Sequence, residues 1–200
     1  GKILSEFPWR SSKYESANAV PPIPLGNNRV FLSECYEKGG VILQFDQNFK
    51  PKILWQEPLV NIHWMTPIQK DNLLFGIAGR HQQGAELFCL NLDTLTENWR
   101  KRVTWESEIN GRNIDLELFR ASMLLVDDKF ICLSELGSLV CLELNKTGWN
   151  LVSQAQLFFA PGTWTLPAIS NGLLYVMQNE TDRISGKSRR LLCYDLRVKQ

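Results

Sequence analysis

The most reactive side chains in the sequence belong to two histidines, His63 and His81, and to five cysteines. No two cysteines are adjacent or spaced as Cys-x-x-Cys, so neither a zinc site nor a redox pair is indicated. Each histidine stands alone in its predicted loop, where an imidazole is usually a solvated side chain; the alternative is proton transfer or ligand binding. The sequence therefore predicts no metal site and no catalytic residue, and it places both histidines beside the binding residues described next.

Larger side chains suited to ligand binding recur at one position. Trp64, Arg120 and Trp164 each stand two residues before a predicted inner strand, and Asn18 is the nearest counterpart. Two indoles and a guanidinium that face one cavity could stack on and hydrogen-bond a planar or sugar-like ligand. These four residues are the predicted binding site for a protein or carbohydrate-like partner. The alternative left open is that the tryptophans plug the wide end of a packed channel.

Acidic side chains cluster in an insertion, residues 105–119. It carries Glu106, Glu108, Asp115 and Glu117. Carboxylates on a loop are usually solvated, and nothing in the sequence fixes their separation, so a paired general acid and base cannot be argued. The insertion is predicted to be a loop that presents carboxylates over the cavity of the predicted binding site, and the sequence assigns no reaction to them.

Composition excludes two classes of partner. Lys and Arg number 22 and Asp and Glu number 21, so the formal net charge is +1, and no block of like charge marks a face for nucleic acid. The longest uncharged stretch, residues 147–179, is interrupted by Pro161, Pro167 and the Asn171-Gly172 pair, whereas a membrane helix needs about 20 continuous apolar residues. No nucleic-acid partner and no transmembrane segment are predicted, and no targeting signal is readable.

A repeat positions the candidate residues. A pair of turn residues precedes an apolar strand four times, at Asn27-Asn28, Asp71-Asn72, Asp127-Asp128 and Asn171-Gly172. Asn, Asp and Gly tolerate left-handed backbone, so each pair predicts a hairpin turn. The strands that follow recur at positions 31, 75, 131 and 175, and the middle step is longer because it contains the insertion. Four short strands per repeat, without helical periodicity, predict an all-β propeller of four-stranded blades.

One turn points to a family. The segment from Asn91 to Trp99 resembles the Asp-x-x-Thr-Gly-Lys-x-x-Trp signature of the pyrroloquinoline-quinone-like (PQQ-like) propeller repeat, although it lacks the Gly and has Asn91 at the acidic position. Residues 18–31 resemble an inner strand pair of these propellers, and 133–140 and 164–175 are similar to the last two blades of bacterial, planctomycete-type members. The resemblance covers nearly the whole chain and implies the quinoprotein dehydrogenase-like fold.

The resemblance also divides the chain into blades. Residues 1–9 are expected to form the outer strand of a preceding blade, 18–57, 62–105 and 120–158 are complete blades, and 164–197 is an incomplete last blade. Propellers of this family usually have about eight blades, so the chain is interpreted as the C-terminal half of a larger ring. The alternative left open is a ring of four blades that is closed by Ile3 to Phe7.

The function implied by the resemblance is that of a binding or scaffolding module. It would be non-catalytic and periplasmic or otherwise extracytoplasmic, similar to outer-membrane assembly factors. The alternative is part of a quinoprotein-like dehydrogenase, such as an alcohol or polyvinyl alcohol dehydrogenase, with its catalytic residues in a missing N-terminal half. Those enzymes stack adjacent cysteines on PQQ and hold calcium with oxygen ligands; without a Cys-Cys pair, no PQQ and no calcium are expected here. An open propeller edge is expected to permit self-association.

Two packing predictions complete the sequence-based model. Trp55 and Trp99 are expected to be largely buried at blade interfaces. Cys132 and Cys141 flank a turn centred on Leu136-Gly137, which would place them opposite each other on adjacent strands. Because a bridge between directly opposed strand residues is strained, they are expected to be unbridged thiols in contact.

Overall fold

The computed structural model describes residues 1–81, 84–109 and 111–197, and within these ranges it consists of strands and irregular segments without a helix. The chain divides into two compact units, Gly1–Arg100 and Lys101–Gln200. Within each antiparallel sheet the strands are arranged in chain order, so neighbouring strands in the sheet are also neighbours in sequence. The fold is therefore all-β and is built from four-stranded blades of the β-propeller type.

The first unit contains two complete blades. The first blade consists of β1 (Ile23–Gly26), β2 (Arg29–Glu34), β3 (Gly39–Phe45) and β4 (Pro51–Glu57). The second consists of β5 (Ile68–Lys70), β6 (Leu73–Ala78), β7 (Glu86–Asn91) and β8 (Thr96–Lys101).

The second unit contains a separate hairpin, a complete blade and a three-stranded sheet. The hairpin consists of β9 (Thr104–Ile109) and β10 (Arg112–Glu117). The complete blade consists of β11 (Ala121–Val126), β12 (Lys129–Ser134), β13 (Ser138–Asn145) and β14 (Gly148–Gln156). The three-stranded sheet consists of β15 (Ala168–Ser170), β16 (Leu173–Gln178) and β17 (Arg190–Asp195).

The inner hairpins have the predicted turns. Asn27 and Asn28 have φ values of 49° and 56°, and Asp127 and Asp128 have values of 46° and 66°. Positive φ at both central residues gives a turn whose twist matches that of the strands, and Asn and Asp adopt it at little cost. The strands that follow bury one aromatic side chain each in the first three blades, namely Phe31, Phe75 and Phe130.

In the second unit, a small apolar core joins the complete blade to the three-stranded sheet. Leu133 of β12 and Leu174 and Val176 of β16 are fully buried, together with Phe158 and Ala160 from the connecting segment. Burial of each leucine, valine or phenylalanine of this core contributes about 1.5 to 3 kcal/mol, so the core fixes the loops at the two sheets' ends relative to each other.

The repeated tryptophans differ in burial. Trp99 is buried, with its ring centroid 6.2 Å from that of Phe75, whereas Trp55 is only half-buried. The prediction of a largely buried tryptophan is thus confirmed for Trp99 and wrong for Trp55. Trp55 lies on β4, where most side chains are exposed.

Two elements differ from the sequence-based expectation. Residues 1–9 contain no strand, although an outer strand was expected there. The insertion at 105–119, expected to be a loop, is the hairpin of β9 and β10, with Leu116 opposite Trp105 and Asp115 opposite Glu106. The Asn110-Gly111 pair in the sequence, flanked by alternating apolar residues, is the hairpin signal that the interpretation missed.

The cysteine register is also corrected. Cys132 pairs with Val140 and Cys141 pairs with Ile131, one residue away from the predicted register. A shift of one residue turns a side chain to the other face of the sheet, so the two thiols point to opposite faces and are not in contact. None of the five cysteines, all of which lie in the described ranges, forms a disulfide, as predicted for this pair.

Candidate functional site

In the second unit, an indole is bonded to a buried ion pair, so that three side chains form a polar cluster. Arg120 Nε donates to Glu135 Oε2 at 2.9 Å, and its terminal nitrogen Nη2 donates to Oε1 of the same carboxylate. The indole Nε1–H of Trp164 donates to Glu135 Oε1 at 2.8 Å. The guanidinium carbon also lies 5.6 Å from the centroid of the Trp164 ring. We call this arrangement the Glu135 latch.

The latch joins three loops at the ends of neighbouring strands. Arg120 immediately precedes β11, Glu135 follows β12 in a tight turn, and Trp164 lies in the segment before β15. The backbone strengthens the junction, because the N–H of Thr163 donates to the carbonyl of Glu135 at 3.1 Å. The loop of the three-stranded sheet is therefore anchored to the complete blade by both side-chain and main-chain bonds.

The latch determines which groups are available to a ligand. Arg120 and Glu135 are buried, at 8% and 3% exposure, and their charges are paired with each other. A buried bidentate ion pair has little capacity left for an external anion. Trp164, by contrast, is 50% exposed, and Leu166, two residues further along the loop, is 51% exposed. Thr165 between them is exposed as well. We call the exposed pair of Trp164 and Leu166 the platform, and the latch orients its indole.

The first unit has a different cluster, built on an aromatic residue. The hydroxyl of Tyr36 lies 3.2 Å from Nε2 of His63, and the two rings meet edge to face with centroids 5.7 Å apart. The guanidinium carbon of Arg80 stacks 4.5 Å from the centre of the Tyr36 ring, and its Nη2 is 3.3 Å from a carboxylate oxygen of Glu15. This cluster holds the half-buried His63 against the blade.

A serine hydroxyl positions the segment that carries His63. Ser33 Oγ donates to the carbonyl of Val60 at 2.8 Å and accepts the N–H of Ile62 at 2.9 Å, and all three residues are buried. Because both bonds are satisfied inside the unit, the segment enters the second blade along a fixed path.

The remaining predicted site residues have separate surroundings. Asn18 is exposed, and its Nδ2 donates to the carbonyl of Trp9 at 2.6 Å. Trp64 is half-buried next to His63, and His81 is exposed in its loop. Of the six predicted binding residues, the structure brings Arg120 together with Trp164 through a carboxylate that the sequence interpretation did not single out. An acidic residue directly after an apolar strand, as in Leu133-Ser134-Glu135, was the available signal.

The carboxylates of the insertion lie on one face of its hairpin. Glu106 is opposite Asp115, and Glu108 is opposite Asn113, and these side chains are exposed. In the described ranges no group of three or more His, Cys, Asp and Glu side chains could hold a metal ion. No helix long and apolar enough to cross a membrane occurs in the described part of the chain.

Comparisons with known proteins leave the family open. No protein-family model matches the chain, and no curated protein matches it. The crystal structure of BamB from Moraxella catarrhalis is similar to it, with 14% sequence identity and a TM-score of 0.41. The match covers 85% of this chain and 57% of that one, so the chain spans little more than half the length of that protein.

Proposed function

We propose that the chain is a non-catalytic binding or scaffolding module and that its partner is a protein that contacts the platform of Trp164 and Leu166. The observation that supports this proposal most strongly is the fixed orientation of an exposed indole by the Glu135 latch. A rigid, half-exposed aromatic ring contributes much contact area at little entropic cost, as hot-spot residues of protein interfaces do.

A protein fits this platform better than a carbohydrate does. Sugar recognition combines an aromatic face with polar side chains beside it, and here the charged groups at the indole, Arg120 and Glu135, are buried and bonded to each other. The hydroxyl of the exposed Thr165 lies 3.5 Å from Oδ1 of Asn179, and Leu166 adds an exposed aliphatic side chain. Apolar contact area is therefore the main contribution that the platform offers to a partner.

We also propose membership of the PQQ-like propellers, in a ring of about eight blades and in an extracytoplasmic compartment. Support comes from the turn that resembles the family signature. Oδ1 of Asn91 accepts the N–H groups of Asp93 and Thr94 at 2.9 and 3.1 Å, so the amide makes the turn contacts expected of an acidic residue at that position. Ring size and compartment rest on the resemblance alone.

The test compares two exposed leucines. Leu166→Ser changes the platform without touching the latch, and Leu196→Ser is a matched control because Leu196 is 50% exposed near the end of β17. Both variants and the unchanged protein are used as immobilised bait in extracts of the source organism, with quantification of the bound proteins by mass spectrometry. We expect one set of proteins to be retained by the unchanged protein and by Leu196→Ser, and reduced about tenfold by Leu166→Ser.

Three outcomes would contradict the proposal. Equal retention of proteins by all three baits would show that the platform does not contribute to binding. Binding to a glycan array that is lost in Leu166→Ser would favour a carbohydrate partner. Oxidation of an alcohol by the purified chain, assayed with PQQ and calcium added, would favour the dehydrogenase alternative.

A further inference from the structure

A groove in the second unit lies beside the hairpin of β9 and β10. It has a volume of about 410 Å³ and is lined by Ile109, Arg112, Ile114, Phe159 and Ile184. The volume is within the range of ligand pockets, and four of the five lining side chains are apolar. The groove is lined by none of the latch residues, so it is independent of the platform proposed above.

One face of the hairpin, which is mostly apolar, forms one wall of the groove. Arg112 is opposite Ile109 in the antiparallel register, and Ile114 and Leu116 follow at alternate positions of β10. Alternation therefore places these residues on one face of the hairpin and the carboxylates of Glu106, Glu108 and Asp115 on the other.

Burial decreases along that face towards the turn. Trp105 and Leu116, at the base, are 8% and 7% exposed, whereas Ile114 is 40% exposed. The base of the hairpin is thus covered, and its outer part extends beyond the cover with aliphatic side chains exposed. An apolar ligand group that packs against these aliphatic side chains would be removed from water without the burial of an unpaired polar group.

The opposite wall is a rigid loop. The carboxylate of Asp182 accepts the N–H groups of Phe159 and Ile184 at 3.0 and 3.1 Å, and it also accepts the hydroxyl of Ser185. The N–H of Arg183 donates to the carbonyl of Phe159 at 2.8 Å. These bonds hold the two lining residues of this wall together before any ligand binds, which reduces the entropic cost of binding.

The groove is electrostatically suited to an anionic group. Arg112 lines the groove and is exposed, and among the described residues its guanidinium has no ion-pair or hydrogen-bond partner. The acidic side of the hairpin faces away from the groove. A guanidinium binds a carboxylate with matching, bidentate geometry.

The strand edge beside the groove indicates a peptide. Within the described ranges β10 pairs only with β9, so its outer edge has unpaired backbone N–H and C=O groups. An extended peptide satisfies such groups by adding a strand, which a lipid chain cannot do.

From these observations we propose that the groove binds an extended peptide segment in which two bulky aliphatic or aromatic side chains lie next to a carboxylate. The apolar side chains contact Ile114, Phe159 and Ile184, the carboxylate pairs with Arg112, and the peptide backbone pairs with β10. This site is distinct from the platform of Trp164 and Leu166.

The experiment is a two-dimensional ¹H–¹⁵N NMR titration of the full chain, which detects weak binding. The probe is N-acetyl-Leu-Phe-Leu with a free carboxylate, and its controls are the same peptide with an amide end and N-acetyl-Ser-Gly-Ser. We expect saturable shifts at the amides of Arg112, Ile114 and Ile184 with the carboxylate peptide below about 5 mM, and weaker binding of the amide peptide.

Variants separate the two contributions to binding. Arg112→Gln should lower the affinity for the carboxylate peptide about tenfold and leave the affinity for the amide peptide nearly unchanged. Ile114→Ser should lower the affinity for both peptides. Glu108→Gln, on the other face of the hairpin, and Leu166→Ser, on the platform, should leave the shifts unchanged. Retained dispersion of the spectrum shows that each variant is folded.

Three results would overturn the proposal. The first is the absence of saturable shifts at the groove, and the second is equal binding of the carboxylate peptide by Arg112→Gln. The third is sedimentation with vesicles of phosphatidylglycerol and phosphatidylcholine that depends on Arg112 without any peptide binding, which would assign the groove to lipid.

Discussion

Glu135 shows how one side chain decides what its neighbours can do. Without it, Arg120 and Trp164 would be a cation and an aromatic ring open to ligands, as the sequence suggested. With it, the guanidinium is neutralised and buried, and the indole is oriented with half its surface exposed. A residue's chemical type therefore indicates a function only together with its partner.

The latch should be important for stability. Glu135→Ala leaves the buried guanidinium of Arg120 unpaired, so we expect the free energy of unfolding to fall by about 3 to 5 kcal/mol. Because an apolar pair avoids this penalty, the double variant Arg120→Leu with Glu135→Leu should be more stable than Glu135→Ala. Urea unfolding measures both.

The control for this experiment is an exposed ion pair on the same blade, Lys129 with Glu143. Glu143→Ala should leave the urea midpoint unchanged within error, since solvent screens this pair. Equal decreases in the free energy of unfolding for Glu143→Ala and Glu135→Ala would show that the latch contributes no more to stability than an exposed ion pair does.

The cysteines should differ sharply in reactivity. Burial raises the pKa of the Cys132 thiol far above its ordinary range, with the nearby Cys141 adding a smaller effect in the same direction, whereas Cys193 is exposed. Only the thiolate reacts, so iodoacetamide at pH 8 should label Cys193 first and Cys132 only after denaturation. Peptide mass spectrometry follows the order, and early labelling of Cys132 would contradict its burial.

Among the elements, the turns were more predictable than the register in which neighbouring strands pair. The inner hairpins follow from Asn, Asp and Gly pairs because the preference for positive φ is local. The pairing of Cys132 could not be obtained in this way, since the turn around Gly137 sets a register that differs by one residue from a symmetric count. The latch was missed for a related reason: its members are 15 and 29 residues apart in sequence and meet only through tertiary packing.

Trp99 on β8 tests the packing of its blade. Its side chain is buried against Phe75, so Trp99→Ala should lower the free energy of unfolding by about 3 to 5 kcal/mol. Trp55→Ala is the comparison, and its effect should be clearly smaller because Trp55 is half-buried. Equal effects, measured by urea unfolding, would contradict the packing described here.

The loop from Asp182 to Lys187 should make stability depend on pH. The hydroxyl of Ser185 first, and then the N–H groups of Phe159, Ile184 and Ser185, lower the pKa of the Asp182 carboxyl below its ordinary value of about 3.9. The carboxylate is therefore favoured in the folded state. Its stabilising effect is fully present above the ordinary value and is lost as the pH falls through the lowered one.

Thermal unfolding between about pH 7 and pH 2 measures this effect. Asp182→Asn should be less stable than the unchanged protein at neutral pH, and the difference should shrink below about pH 4. Asp115→Asn is the control, since Asp115 is exposed on the hairpin and its carboxylate has no hydrogen bond or ion pair among the described residues. A difference that stays constant with pH would exclude a role for the charge of Asp182.

At the scale of the whole chain, the sheets differ in completeness. Three of them have four strands, and the sheet of β15, β16 and β17 has three in the described ranges. Leu191 on β17 is 66% exposed, and among the described residues β17 pairs only with β16, so its outer edge has unpaired backbone groups. The blade class was predictable because the repeat is periodic, but periodicity alone does not determine the number of strands in this last sheet.

Association of the isolated chain follows from this edge. We expect multi-angle light scattering to show dimers or larger species, since exposed strand edges recruit other chains. Leu191→Lys should shift the chain towards the monomer, and Tyr14→Lys, in a fully exposed loop position, should not. A stable, compact monomer of the unchanged chain would favour the closed ring of four blades.

The hairpin of β9 and β10 has a consequence for the evolution of this chain. The complete blade of β11 to β14 forms its hydrogen-bonded ladder without either strand of the hairpin, and Ile114 in the outer part of the hairpin is 40% exposed. Substitutions at its outer positions therefore do not compete with the packing of the blade. An insertion of this kind gives a repeat protein a region that can acquire new specificity by drift while the repeated framework remains under stabilising selection.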